Sequence, residues 1–198
     1  MKSPPGRYSM VAMVLHWAIA ILLIWNVPIA WNAEDLKGLA HVRALQPHKT
    51  IGITVLILSV LRLLWRLAVK PPRMPDTLAP WERRLARVVH VLFYVAIIGL
   101  PLSGWAMVSA GKLSDAFPIM LGPVRWPTLP MNAWFGSDVR DVHEALEVVH
   151  DLLGKATIYG LIPLHILGAL KHQFIDKADE LGRMIPFWPR RQAEGHAE

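Results

Sequence analysis

Long apolar runs separated by short polar and proline-rich segments dominate this chain. One charge-free run extends over residues 8–33 and another over residues 88–111. Each exceeds the roughly 20 residues that a helix needs to cross a hydrocarbon core about 30 Å thick. A third run begins near His48 and continues over residues 51–61, and a fourth covers residues 156–170. The pattern therefore predicts four membrane-spanning helices.

These spans predict an all-α integral membrane four-helix bundle, with residues 1–198 forming a single membrane domain. The helices are expected at about residues 8–33, 48–69, 86–110 and 143–174, with an outer loop at residues 111–142. A cluster of prolines prevents the second and third spans from joining into one helix, because proline removes a backbone donor and disfavours helical geometry in the preceding residue. Its members are Pro71, Pro72, Pro75 and Pro80.

The distribution of charge and the amino-acid composition exclude several kinds of partner and site. The formal net charge is +6, and 14 of the 21 Lys and Arg residues lie in the N-terminal tail, in residues 62–87 and from Lys171 onward. The positive-inside bias then places both termini in the cytoplasm, and we expect a multi-pass protein of the bacterial inner membrane. The same bias accounts for the basic balance, so nucleic acid is not expected as a partner. The chain has no cysteine, which excludes disulfides, thiolate metal sites and covalent c-type haem attachment.

Four histidines lie at matching depths in the predicted bundle. His16 is about 9 Å along the first helix from its cytoplasmic start, and His165 is about as far from Lys171 on the fourth helix. His150 lies fifteen residues before His165, which places it about 22 Å further outward. His48 opens the second helix on the outer side, at a similar height. The spacing therefore predicts two pairs, His16 with His165 and His48 with His150.

Paired imidazoles on facing helices favour iron ligation. A buried imidazole is costly unless something binds it, and one such histidine alone is adequately explained by an interhelical hydrogen bond. Four at paired depths favour two bis-histidine haems, whose filled axial positions suit electron transfer rather than oxygen chemistry. Nearby glycines would let a macrocycle approach the backbone (Gly52, Gly154, Gly160, Gly168), and basic residues would pair with propionates (Lys49, Arg62, Arg66, Lys171).

The remaining histidines carry weaker predictions. His90 fits a propionate contact, a quinone pocket or a simple interfacial position, and His143 is the reserve candidate for the outer ligand. We expect His172 to be a solvated interfacial residue, and we assign no role to His41 or His196. No catalytic residue is assigned.

Several segments together resemble one family, the bacterial cytochromes b561 of the four-helix di-haem type. The resemblance extends from Arg7 to Pro186, and each segment alone is less specific than the combination. The matching segments are Arg7-Tyr8-Ser9, Leu15-His16-Trp17, His48-Lys49-Thr50-Ile51-Gly52, Arg62-Leu63-Leu64-Trp65-Arg66, His90-Val91-Leu92-Phe93-Tyr94, Leu100-Pro101-Leu102-Ser103-Gly104-Trp105, Val149-His150-Asp151-Leu152-Leu153-Gly154, Leu164-His165 and Leu170-Lys171-His172-Gln173-Phe174-Ile175-Asp176.

The resemblance implies two non-covalent b haems, ligated by the same four histidines that depth selects. It also implies electron exchange with ubiquinone as a substrate, and the quinone-linked oxidoreductase activity of the superoxide:ubiquinone type. Cations near the outer haem would then attract superoxide, with Lys49, Arg125 and Arg140 as candidates.

One feature departs from the family pattern. The family spaces its two fourth-helix ligands fourteen residues apart, whereas the interval here is fifteen. One extra residue rotates the second ligand by about 100° on an ideal helix. We expect Pro163 to absorb this rotation through a kink or a wider turn.

Two other functions stay open at this point. One is a cytochrome b anchor subunit of a larger dehydrogenase or hydrogenase, which would carry the same haems and take electrons from a redox partner protein. The other, less favoured, is a haem-free transporter that uses its histidines for a divalent metal.

Overall fold

The computed structural model of this chain describes residues 6–74 and 78–187 and is almost entirely helical. Three long helices, α1 (Met10–Glu34), α3 (Gln46–Ala68) and α4 (Pro80–Ala110), are followed by a long helical run made of α6 (Val139–Ala156), a π-helical turn (Thr157–Leu161) and α7 (Ile162–Phe174). Shorter elements complete the order, namely α2 (Gly38–Ala44), a hairpin of β1 (Met120–Leu121) and β2 (Val124–Arg125), α5 (Met131–Phe135) and α8 (Glu180–Met184). The fold is all-α, as the sequence predicts.

Four helical segments are long and apolar enough to cross a membrane. Their large apolar side chains point outward rather than into a core: Ile24 is 69% exposed, Leu67 75% and Leu167 64%. In water such a surface would drive association, but hydrocarbon solvates it at no cost. Exposed apolar helices of this length are those of a multi-pass membrane protein.

The helix ends differ from the expected bounds in two places. Helix α4 begins at Pro80, six residues before the expected position, because proline is tolerated in a first turn and Glu82 accepts a hydrogen bond from the Ala79 N–H at 3.0 Å. The fourth helical run begins at Val139 rather than at residue 143, directly after a 3₁₀ turn at Gly136–Asp138. The loop between the third and fourth spans is correspondingly shorter and contains α5.

The chain termini meet at one end of the bundle, which we call the inner end. The Tyr8 N–H donates to the Arg183 carbonyl at 3.3 Å, the Arg7 guanidinium to the Ile185 carbonyl at 2.6 Å, and the Trp17 indole to the Met184 carbonyl at 2.9 Å. The segment around α8 is therefore fastened to the start of α1.

The loop at the opposite, outer end packs over α3 and α4. The Thr50 hydroxyl donates to the Met120 carbonyl at 2.7 Å, and the Trp105 indole donates to the Pro127 carbonyl at 2.8 Å. Ile119 is buried against Ile53 and Leu56 of α3. These contacts hold the loop as a cap on the outer end.

Candidate functional site

The structure brings the four predicted histidines together as two opposed pairs. His16 of α1 faces His165 of α7, with ring centroids 6.2 Å apart and ring planes at 75°. His48 of α3 faces His150 of α6, with centroids also 6.2 Å apart and planes at 82°. The first pair lies in the inner half of the bundle and the second in the outer half.

The separation of each pair fits a metal held between two axial imidazoles. A metal lies about 2 Å from a ligating imidazole nitrogen, which is itself about 1.2 Å from the ring centre, so opposed rings on one metal have centroids about 6.3 Å apart. Both observed separations agree with this value. Among the described residues, no group of three or more His, Cys, Asp or Glu side chains surrounds a metal position. Each pair thus offers two ligands, the number that haem iron takes from a bis-histidine protein site.

The outer pair is oriented by hydrogen bonds to the second nitrogen of each ring. His48 Nδ1 lies 3.3 Å from the Asn26 carbonyl oxygen, which can only accept, so Nδ1 carries the proton. The Ser103 hydroxyl gives its single hydrogen to the Leu100 carbonyl at 2.8 Å and therefore accepts from His150 Nδ1 at 3.0 Å. Both rings are left with Nε2 unprotonated, as iron ligation requires.

For a haem held by the outer pair, replacing Ser103 by Ala is expected to weaken binding without abolishing it. Loss of this acceptor frees the His150 ring to rotate and makes it a poorer electron donor, so haem affinity should fall about 10- to 100-fold and the outer haem potential should rise. A spectroelectrochemical titration measures the potential. Ser109→Ala is the matched control, because Ser109 bonds the Trp105 carbonyl and the Leu129 N–H instead. An unchanged potential in Ser103→Ala, or an equal shift in the control, would contradict this role.

A π-helical turn accommodates the fifteen-residue interval between His150 and His165 of the last helical run. The turn covers Thr157–Leu161, and the Ile162 N–H donates to the Thr157 carbonyl five residues back. A π turn contains one residue more than an α turn, so it takes up the extra residue without rotating the flanking helices. Pro163 lies in the first turn of α7, two residues after the π turn ends. Both His150 and His165 consequently face the bundle interior.

The backbone of Gly104 in α4 lies close to His150 of the outer pair. A Cβ at this position would lie 2.9 Å from His150 Cε1 and 3.2 Å from His150 Nδ1. The four glycines singled out by the sequence do not have this role. A Cβ added at three of them would meet nothing within 4 Å, and one added at Gly154 would meet only a Leu100 methyl at 3.9 Å. Sequence reasoning missed Gly104. Its position along α4, one residue after Ser103, is the signal that could have indicated it.

Gly104→Ala is expected to displace His150. For haems held by the two pairs, it should lower the occupancy of the outer one and leave the inner one in place. The added methyl competes for the space of a ring that Ser103 already holds. The haem-to-protein ratio of the purified protein measures the loss. Gly99→Ala on the same helix is the control, because nothing lies within 4 Å of a Cβ there. Full haem content in Gly104→Ala would refute the steric argument.

The inner site contains a third imidazole. The His90 ring lies 5.9 Å from the His165 ring at 85°, slightly closer than His16, and its Nδ1 is 2.6 Å from the Ala86 carbonyl oxygen. Phe93 packs edge-on against His165 at 5.1 Å. Distance alone therefore does not separate His16 from His90 as the partner of His165, and the sequence-based choice of His16 stays a prediction.

His172 is not the solvated residue that its position predicts. Its side chain is 16% exposed, and its Nδ1 lies 2.6 Å from Asp176 Oδ2. Lys171 Nζ is 2.6 Å from Glu82 and 2.7 Å from Asp176, so the four side chains join the start of α4 to the end of α7. The hydrogen bonds from Lys171 and His172 lower the pKa of Asp176. The signal that sequence reasoning missed is the i, i+4 spacing of His172 and Asp176.

Two further histidines lie away from the pairs. His143 Nδ1 is 2.8 Å from the Met107 carbonyl oxygen of α4, two helical turns before His150. His41 Nδ1 is 2.7 Å from the Ala33 carbonyl oxygen. Each is explained by its backbone contact, while His196 lies outside the described residues.

Comparison with known proteins identifies the family of this chain. The family model for prokaryotic cytochrome b561 matches residues 7–187. Cytochrome b561 homolog 2 of Escherichia coli K12 is 30% identical over 188 residues, covering 91% of this chain and 92% of that protein. The probable superoxide oxidase CybB of Yersinia pestis is 30% identical over 186 residues (91% and 96%), and cytochrome b561 homolog 1 of E. coli K12 is 27% identical over 187 residues (91% and 98%). With near-complete coverage in every case, and with histidine pairs spaced for haem, the chain belongs to the prokaryotic cytochrome b561 family.

Proposed function

We propose that this protein is a di-haem b electron carrier that passes electrons from superoxide at the outer face to the ubiquinone pool. Family membership implies haem b binding. The proposal includes the number of haems, superoxide as the donor, ubiquinone as the acceptor and the cytoplasmic location of both termini. His16 and His165 would hold the inner haem, and His48 and His150 the outer one.

The observation that carries the proposal is the equal spacing of the two histidine pairs, 6.2 Å in each case. When bound, haem b would supply reversible one-electron transfer, and two histidines would hold it at each site. The protein orients the rings through Asn26 and Ser103, and Gly104 admits the His150 ring. The ligands of the two sites are fifteen residues apart on one helical run, so the sites lie in different halves of the membrane.

Superoxide as donor is supported by the name of one relative, the probable superoxide oxidase of Y. pestis, and by the charges at the outer end. Of the three cations predicted to attract the anion, Arg125 is paired with Asp115 at 2.7 Å and Arg140 with Glu144 at 2.9 Å. Lys49 has no carboxylate partner within the described part of the chain, and it directly follows His48. The attraction is therefore assigned to Lys49.

Lys49→Gln is expected to slow reduction of the protein by superoxide about tenfold at low ionic strength, because it removes the unpaired charge beside the outer site. The rate is followed at the haem absorbance after superoxide is generated enzymatically. Arg125→Gln is the control and should lose much less, since Asp115 already neutralises that guanidinium. Equal losses in the two variants, or a loss that persists at high salt, would argue against steering by Lys49.

The whole proposal is tested with the isolated protein in mild detergent. Superoxide-dependent reduction of ubiquinone by the purified chain, abolished in His48→Ala, is the expected result. A protein that carries haem, fails to react with superoxide and co-purifies with a dehydrogenase or hydrogenase would instead be an anchor subunit of that partner. A protein that stays colourless after expression with ample haem would refute the electron-transfer function.

A further inference from the structure

A basic cavity opens at the inner end of the bundle, between α1, α3 and α4. It is small and open to the outside, with a volume of about 30 Å³. Arg62, Arg66 and Lys70 contribute its cations, and Tyr8 and Tyr94 contribute phenol groups. This cavity is separate from the Glu82–Lys171–Asp176 group, which joins α4 to α7.

The three cations line the same cavity and have no acidic counterpart. Arg62 and Arg66 lie one turn apart on the same side of α3, and Lys70 follows the end of the helix, so the three form a stripe. No Asp or Glu lines the cavity, and none of the three forms an ion pair within residues 6–74 and 78–187. Arg62 donates to the Ala12 carbonyl at 3.0 Å, and the Arg66 guanidinium lies 5.8 Å from the centre of the Tyr94 ring. The positive charge of the cavity is therefore uncompensated in the described structure.

The depth of the stripe matches the boundary between hydrocarbon and headgroups. Arg62 lies six residues before the end of α3, about 9 Å inside it, and donates to the carbonyl of Ala12, one turn before His16 on α1. Arg66 lies within the last turn, and Lys70 lies two residues beyond the helix, where it and Val69 are exposed at the mouth. Cations buried in a membrane protein usually mark a binding site, and basic pockets between spanning helices bind acidic headgroups.

We propose that this cavity binds the phosphate of an anionic phospholipid. Arg66 and Lys70 would donate to the phosphate oxygens, with the Tyr8 and Tyr94 hydroxyls as further donors, and Arg62 would remain directed toward the inner histidine pair. A lipid is favoured over a free anion because the mouth lies at the end of lipid-facing helices: Leu64 is 56% exposed and Leu67 75%. The inference does not depend on the electron-transfer function.

The test compares lipid binding by full-length variants. Protein is exchanged into a neutral detergent and titrated with dioleoylphosphatidylglycerol or dioleoylphosphatidylcholine, and bound lipid is counted by native mass spectrometry. Wild type should prefer the anionic lipid, and Arg66→Gln with Lys70→Gln should weaken that preference about thirtyfold. Lys70→Gln alone, at an exposed position that folding tolerates, should weaken it about fivefold. The control is Arg84→Gln with Arg87→Gln, which removes two exposed charges from the same end outside this cavity and should keep the preference.

Three results would overturn the proposal. Equal weakening in the control would show that only the general charge of the inner end matters. Displacement of bound lipid by inorganic phosphate at comparable concentration would assign the cavity to a free anion. An unchanged lipid preference in Arg66→Gln with Lys70→Gln, together with loss of the inner haem spectrum, would assign its cations to haem propionates.

Discussion

Replacing His150 by Ala should remove one of two b haems and leave the other with an unchanged spectrum and potential. The outer pair loses a ligand that no other described side chain replaces, since His143 is held by the Met107 carbonyl at 2.8 Å. The inner pair is unaffected, because it lies about 22 Å away along the same helical run. The haem-to-protein ratio should fall by half, and a redox titration should lose one of its two waves.

Single substitutions of the other histidines test which of them bind haem iron. His165→Ala and His16→Ala should each remove only the inner haem, whereas His90→Ala and His143→Ala should keep both. Retention of the inner haem in His16→Ala, with its loss in His90→Ala, would transfer the ligand role to the ring 5.9 Å from His165. Loss of both haems in His150→Ala would contradict the independence of the two sites.

Deleting Tyr159 should leave both haems bound, although it changes the spacing of two ligands. The residue lies in the π-helical turn and is 68% exposed. Its removal should convert the turn to ordinary α-helix and so keep His150 and His165 on the same face. Absorption spectra and the haem-to-protein ratio of the purified deletion variant test this outcome.

Deleting Tyr159 and Gly160 together provides the matched comparison. The first deletion already converts the π turn to ordinary α-helix. The second deletion should therefore rotate His150 relative to His165 by about 100°, and one haem should be lost. Haem loss from the single deletion, or full haem content in the double one, would mean that the π turn does not set the ligand register.

The sequence is sufficient for features that depend on periodicity and depth. Two apolar runs longer than the membrane thickness and two shorter ones within longer helical segments predict four spans, and a rise of 1.5 Å per residue places His16 level with His165 and His48 level with His150. The structure brings these histidines together in the same pairs. Such predictions are possible because a spanning helix is nearly straight and its direction alternates from one span to the next.

Features that depend on contacts between helices cannot be obtained in the same way. The fifteen-residue interval predicts a kink or a wider turn near Pro163, but it does not specify that a π turn precedes this proline. The approach of Gly104 to His150 depends on the rotation of α4 against α6, which the apolar pattern of a lipid-exposed helix hardly constrains. The same applies to His90, whose proximity to His165 follows from the packing of α4 against α7.

The measurement that tests the central claim most directly is a reduced-minus-oxidised spectrum of the purified protein combined with its haem-to-protein ratio. Two opposed histidine pairs, each with centroids 6.2 Å apart, predict two low-spin b haems per chain. A single haem, a high-spin spectrum or a colourless protein would contradict the claim.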